Sequence, residues 1–396
     1  MTNRQPTISN PLIHSFALLG TLLLALLLAG CGASHGRTAP TAPAGTESTL
    51  PVTAAVAGET PPARAGTFDR RAMVGDIVET LILPLNAQLA AEAVTLEETV
   101  AQFAANPTLA TLAAAQMQWR TTAEAWARVE PFALRFTMLV QNQIKKWPIN
   151  HAFIDGFITG DEPIDEAFIS GSGSTVKGLA ALEYLLFAPA GSDEDIVAAL
   201  TADPQRMAYL VALAQNLVTT TRELNAMWSP AGDNQGQALI DADFDANNVQ
   251  GSISMVANQM LVLTEEIIEN KLDYPLRGVF AEAQPQAVEA PYAAYSAPLI
   301  RANLQTMQNL FNSGLDAYLI FLQDGDTTLA EAIDAQFDRA IAAVDALTPS
   351  LQSAVVESPD TVSAARDAVN DLLVLLKVDM ANQMGFTITF SDNDGD

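Results

Sequence analysis

Glu183 lies in the run Lys177-Gly178-Leu179-Ala180-Ala181-Leu182-Glu183-Tyr184-Leu185-Leu186-Phe187, a carboxylate among apolar neighbours. Burying an unpaired carboxylate is costly, so Glu183 calls for a partner such as an Arg side chain or a bound cation. Upstream, Asn150-His151-Ala152-Phe153-Ile154-Asp155-Gly156 precedes an acidic patch at Asp161, Glu162, Asp165 and Glu166, then Gly171-Ser172-Gly173-Ser174. Such an irregular, acidic, Gly-rich stretch inside a helical chain reads as a functional loop. Its carboxylates favour hard cations, ferric iron and calcium included.

Other constellations carry less. The terminal acids Asp392, Asp394 and Asp396 could hold a hard cation through oxygen ligands, with a solvated tail as the alternative. Asp241-Ala242-Asp243-Phe244-Asp245-Ala246-Asn247-Asn248 places oxygens as a calcium loop does. Ala246 stands where Gly makes the turn, and Ser252 where a bidentate Glu closes the site, so it reads as a solvated connection. Trp119 and Trp126, seven apart, share a helical face and read as core. Glu124 and Arg128 form an i,i+4 pair. Hydrolysis needs a metal-held water with three protein ligands, or a nucleophile beside a base. The sequence shows no His-Glu-x-x-His and no convincing Ser-His pair, and no catalytic residue is assigned.

These residues must be positioned by helices. From Phe68 onward apolar residues recur at three- and four-residue spacing, as in Ile77, Leu81, Leu85 and Leu89. Segments near 71–104, 108–129, 176–188, 205–228, 249–271, 298–323, 328–347 and 359–383 are predicted helices, with Pro or Gly between them. Asn106-Pro107, Asp203-Pro204 and Ser358-Pro359 read as helix starts, each a capping side chain followed by Pro. The expected class is all-α, with two packed, four-helix-bundle-like subdomains at 67–235 and 236–396, joined by the Pro-rich region 272–297. Length alone suggests about two domains.

The 396 residues carry 19 Lys+Arg against 46 Asp+Glu, a net charge of −27 that repels nucleic-acid phosphates. One Cys excludes disulfide frameworks and Cys-rich metal sites. Near the N-terminus, Arg4 precedes an apolar run at 16–28, short for a membrane span, which ends in Leu28-Ala29-Gly30-Cys31. That run resembles a bacterial lipoprotein signal. The resemblance implies a signal peptide at 1–30, acylation of Cys31 and anchoring in the cell envelope, with Gly32 favouring the outer membrane, periplasmic side. Loss of 1–30 removes Arg4 and no acid, deepening the charge to −28. Residues 31–66, rich in Ala, Thr, Pro and Gly, form the expected tether.

Beyond the signal, Trp119 and Trp126, Glu130-Pro131-Phe132, Trp147-Pro148, the Gly178 to Glu183 motif, Lys271 to Gly278 with Pro275-Leu276, and the terminal Phe390-Ser391-Asp392-Asn393-Asp394-Gly395-Asp396 occur in an order that resembles the imelysin family across about 70–396. The family motif is Gly-x-His-x-x-Glu; here Ala180 stands where the motif has His. The resemblance implies two helical bundles with a cleft near Gly178 and Glu183. It also implies a history divided between metallopeptidases and iron-uptake proteins. The leading expectation is a non-enzymatic binder whose cleft, at Gly178, Glu183, His151 and Asp155, takes iron or another divalent or ferric cation. The alternatives are a metallopeptidase with Glu183 and His151 among its ligands, and a periplasmic scaffold for another envelope protein.

Overall fold

Leu89, Ala93, Leu96, Val100 and Phe103 recur at the helical period, and they form the buried stripe of a continuous 36-residue helix, Arg70–Ala105. Asp69 caps its start by accepting from the Ala72 amide. Within it the wide turn Val78–Ile82 stands just before Pro84. A proline removes an amide donor and crowds the carbonyl four residues back, and a π-helical turn absorbs both defects. The wide turn Ile267–Asp273 stands in the same relation to Pro275.

The computed structural model describes residues 67–187, 191–245, 248–277 and 282–389, which fall within the unit Ala63–Asp396. Among the described residues the regular elements are all helices, with no strand, as the all-α expectation requires. The signal segment, Cys31, the tether, and Asp392, Asp394 and Asp396 lie outside them. The helices sort into two packed groups. The first contains Arg70–Ala105, Leu109–Val129, Gly178–Phe187 and Pro204–Trp228; the second contains Ser252–Glu266 with its continuation Ile267–Asp273, Ser296–Leu310, Thr328–Asp345 and Pro359–Val374. Leu109–Val129 packs on Ser296–Leu310 and joins the groups, with Trp119 and Trp126 buried as core.

Local chemistry explains where the sequence reading and the structure part. Asp203 caps Pro204–Trp228 as expected, accepting from the Gln205 and Arg206 amides at 3.0 and 3.1 Å. Ser358 precedes Pro359–Val374 without a side-chain cap bond. Asn106 instead closes the preceding helix, because Thr108 and Thr111 form a capping box that starts the next one two residues later. The stretch expected to be an irregular loop holds two short helices, His151–Ile158 and Glu166–Gly171. Asn150 and Asp165 cap them, accepting from the amides of Phe153 and Phe168 at 3.2 and 2.9 Å. Residues read as loop polarity are therefore helix caps.

Candidate functional site

Gly178 opens the helix Gly178–Phe187 with φ +73°, and a Cβ there would stand 2.2 Å from the Ile144 carbonyl oxygen. Only a residue without a side chain fits this approach to the end of the helix Met138–Ile144. The Trp119 indole donates to the Leu179 carbonyl at 2.9 Å, and the Tyr209 hydroxyl to the Val176 carbonyl at 2.7 Å. Buried Lys177 donates to the carbonyls of Ile169 and Ser170 at 3.3 and 3.0 Å; burial lowers its pKa against the opposing pull of Glu166. The helix start is pinned from several sides, and residues 178–186 are all buried.

Glu183, 2% exposed, accepts on Oε1 from the backbone amides of Tyr292 and Ala293 at 2.9 and 2.8 Å. The carboxylate thus clamps onto the first group the connection that leads from Ile267–Asp273 to Ser296–Leu310 within the second group. Burial pushes its pKa up to about 7, against the downward pull of the Ala293 amide, Lys145 and the Tyr292 amide, and with a further upward push from Glu289. Nearby, Lys145 pairs with Glu289 at 2.5 Å, and Lys271 lies 3.2 Å from both Glu289 and Glu130. Asn303 accepts from Lys271 at 3.0 Å and donates to Glu130 and the Ala127 carbonyl at 2.6 and 2.7 Å. Burial alone would raise the Glu289 pKa, but the ammoniums of Lys145 and Lys271 outweigh it and hold the group at about 2.

Toward solvent, the Tyr292 hydroxyl meets His151 Nε2 at 2.7 Å. The His151 ring stands edge-on to Tyr184, with centroids 4.8 Å apart. The Tyr184 hydroxyl donates to the Asp155 carboxylate at 2.9 and 3.0 Å, and Arg206 donates to the same group at 3.1 Å. Burial and then Asp155 push the Tyr184 phenol up to about 12; burial, Glu183 and Asp155 raise that of Tyr292. His151 also lines an open groove of about 510 Å³ with Pro148, Ile149, Asn150, Ala152 and Thr175.

The structure therefore links Glu183, His151 and Asp155 in one cluster, while Gly178 supports the helix that carries Glu183. Glu183 and His151 hold opposite ends of Tyr292, one its backbone and the other its hydroxyl. Among the described residues no three His, Cys, Asp or Glu side chains converge as a cation's ligand set. Tyr184, Tyr292 and Arg206 escaped the sequence reading. Tyr184 was signalled by its place beside Glu183, whereas nothing local marks Tyr292. Elsewhere, the Asp243 carboxylate accepts from the Asp245 amide at 3.0 Å, which ties the acidic turn to itself. Glu124 pairs with Arg128 at 3.0 Å and also accepts from Tyr295.

The family model described as Imelysin, peptidase M75, matches residues 82–378. The chain belongs to the imelysin family. It is 24% identical over 294 residues to the iron-regulated protein A of Synechococcus elongatus, spanning 70% of this chain and 75% of that protein. An imelysin-like protein from Psychrobacter arcticum 273-4 has the same fold, with a TM-score of 0.67 and 18% identity over 81% of this chain and 96% of that one. So does a structure that carries the name iron-regulated protein A precursor, from Parabacteroides distasonis ATCC 8503, at a TM-score of 0.66 and 19% identity over 81% and 97% of the two chains.

Against the imelysin motif, Ala180 is buried, one turn before Glu183 and Tyr184 and on their side of the helix. It supplies no imidazole. The His151 ring reaches Tyr184 from a different helix, so an imidazole still stands beside the motif helix, supplied from elsewhere in the chain.

Proposed function

We propose that this imelysin-family chain is a lipid-anchored envelope protein that serves iron handling by binding a ligand rather than by hydrolysis. The binding region is the junction where the motif helix meets the connection carrying Tyr292. The observation that carries this reading is the Glu183 clamp, which fixes residues from both helix groups around His151, Asp155, Tyr184 and Tyr292. Oxygen-rich surroundings of this kind suit hard cations, and the name iron-regulated protein A borne by two similar proteins supports iron as the cargo. A hydrolytic metal centre asks for three protein ligands and a free coordination position. Glu183 Oε1 is already occupied by two amides. Acylation at Cys31, on the periplasmic side of the outer membrane, would keep such a binder where imported iron passes.

The test is growth of the source bacterium under iron chelation after deletion of the chain. Slower growth is expected, relieved by added iron and by the wild-type chain but only weakly by Glu183→Ala. Unchanged growth of the deletion strain across graded chelation would overturn the iron reading.

A further inference from the structure

We infer that Tyr184, Tyr292, His151 and Asp155 form a ferric-iron site, in which two phenolates, an imidazole and a carboxylate exchange the hydrogen bonds they make with one another for bonds to the metal. The inference rests on the iron-handling reading and specifies the donors.

The four groups are already arranged as two donor pairs. Tyr292 Oη faces His151 Nε2 at 2.7 Å, and Tyr184 Oη faces the Asp155 carboxylate at 2.9 and 3.0 Å. A proton lies within each pair, and a metal ion that displaces it finds both atoms of the pair turned toward it. The pairs adjoin: the Tyr184 and Tyr292 rings are 5.7 Å apart, His151 stacks edge-on to both, and the Asp155 charge acts on the Tyr292 phenol.

Each donor is held in place by groups outside the set. His151 and Asp155 sit four apart on His151–Ile158 and therefore share a face. Arg206 restrains Asp155, and Glu183 fixes the backbone of Tyr292. Tyr184 rides on the helix that Gly178 seats. The open groove beside His151 gives a path from solvent.

Acidity favours the ferric ion. Each phenol releases its proton to solvent as the metal binds, and Fe(III), a harder ion and a stronger acid than a divalent one, drives that loss further, while Arg206 stays at the edge of the set on Asp155.

The experiment uses the full chain in detergent, titrated with ferric citrate and followed by visible absorption and metal analysis. One iron per chain is expected, with a phenolate-to-iron charge-transfer band. Tyr184→Phe and Tyr292→Phe should each weaken binding about tenfold or more and diminish the band, and the double variant should lose it. Tyr295→Phe, outside the cluster, should keep both, and thermal melts establish that each variant is folded. His151→Ala, at a half-exposed position, should also weaken binding. Iron bound without the band, or a band unchanged in the double variant, would overturn this donor set and leave the iron-handling reading standing. Failure to take up iron at all would also overturn it, and the chelation growth test then decides the broader reading separately.

Discussion

Glu183 sets a pH dependence that can be worked out from its surroundings. Its carboxyl ordinarily ionises near 4.5 and in the fold near 7, because burial outweighs the amides of Ala293 and Tyr292 and the Lys145 charge. Below 4.5 both folded and unfolded states carry the proton. Between 4.5 and 7 the unfolded chain ionises while the folded chain keeps its proton, so stability falls as pH rises through this window. At about 1.4 kcal/mol per unit, the loss in the metal-free protein is on the order of 3 kcal/mol. Glu183→Gln retains an oxygen to accept from both amides and has no proton to lose. Its melting temperature should therefore vary less between pH 5 and 8 than that of wild type; parallel pH profiles for the two proteins would refute this balance. Glu183→Ala, by contrast, strands two amides at every pH, a cost of about 1–3 kcal/mol for each left buried.

At the scale of elements, Lys145, Lys271, Glu130 and Glu289 join the end of one short helix, a π-helical turn, the segment after Leu109–Val129 and the connection that leads into Ser296–Leu310. Removing one member of a buried charge pair leaves the others uncompensated. Glu289→Gln should therefore cost about 3–5 kcal/mol, read as a lower urea midpoint for unfolding of the whole body. A midpoint within error of wild type would mean that solvent reaches the lysines. This junction also marks the limit of what the sequence discloses. The long helices were legible because apolar spacing reports which face of a helix is buried. That spacing does not report which distant segment covers the face: Tyr292 and Ala293 reach Glu183 across 109 and 110 residues. Caps misled locally for a related reason, since Asn106 suits a helix end as well as a start, and only the reciprocal Thr108 and Thr111 bonds decide between them. Glu183, His151 and Asp155 were visible as unusual residues, and the phenols that complete the cluster were not.

At the scale of the whole molecule, the proposed attachment and the folding would draw on different parts of the chain. With a net charge of −27, the protein gains nothing from the electrostatic attraction that holds basic proteins on anionic membranes. Under the proposed lipid anchor, retention would come from acyl chains on Cys31, where two or more anchor stably and one binds reversibly. The buried core among the described residues begins at Met73, so replacing Cys31 leaves it intact. Cys31→Ser should therefore shift the protein from the membrane to the soluble fraction with an unchanged melting temperature. Among the described residues one helix, Arg70–Ala105, has the length and hydropathy to cross a bilayer. Its apolar stripe is covered by Leu109–Val129 and Pro204–Trp228, and exposing it to lipid would dismantle the first helix group. A Cys31→Ser protein that stayed in the membrane fraction would therefore refute acylation as the anchor. If its melting temperature were also lowered, the long helix would be the segment holding it there.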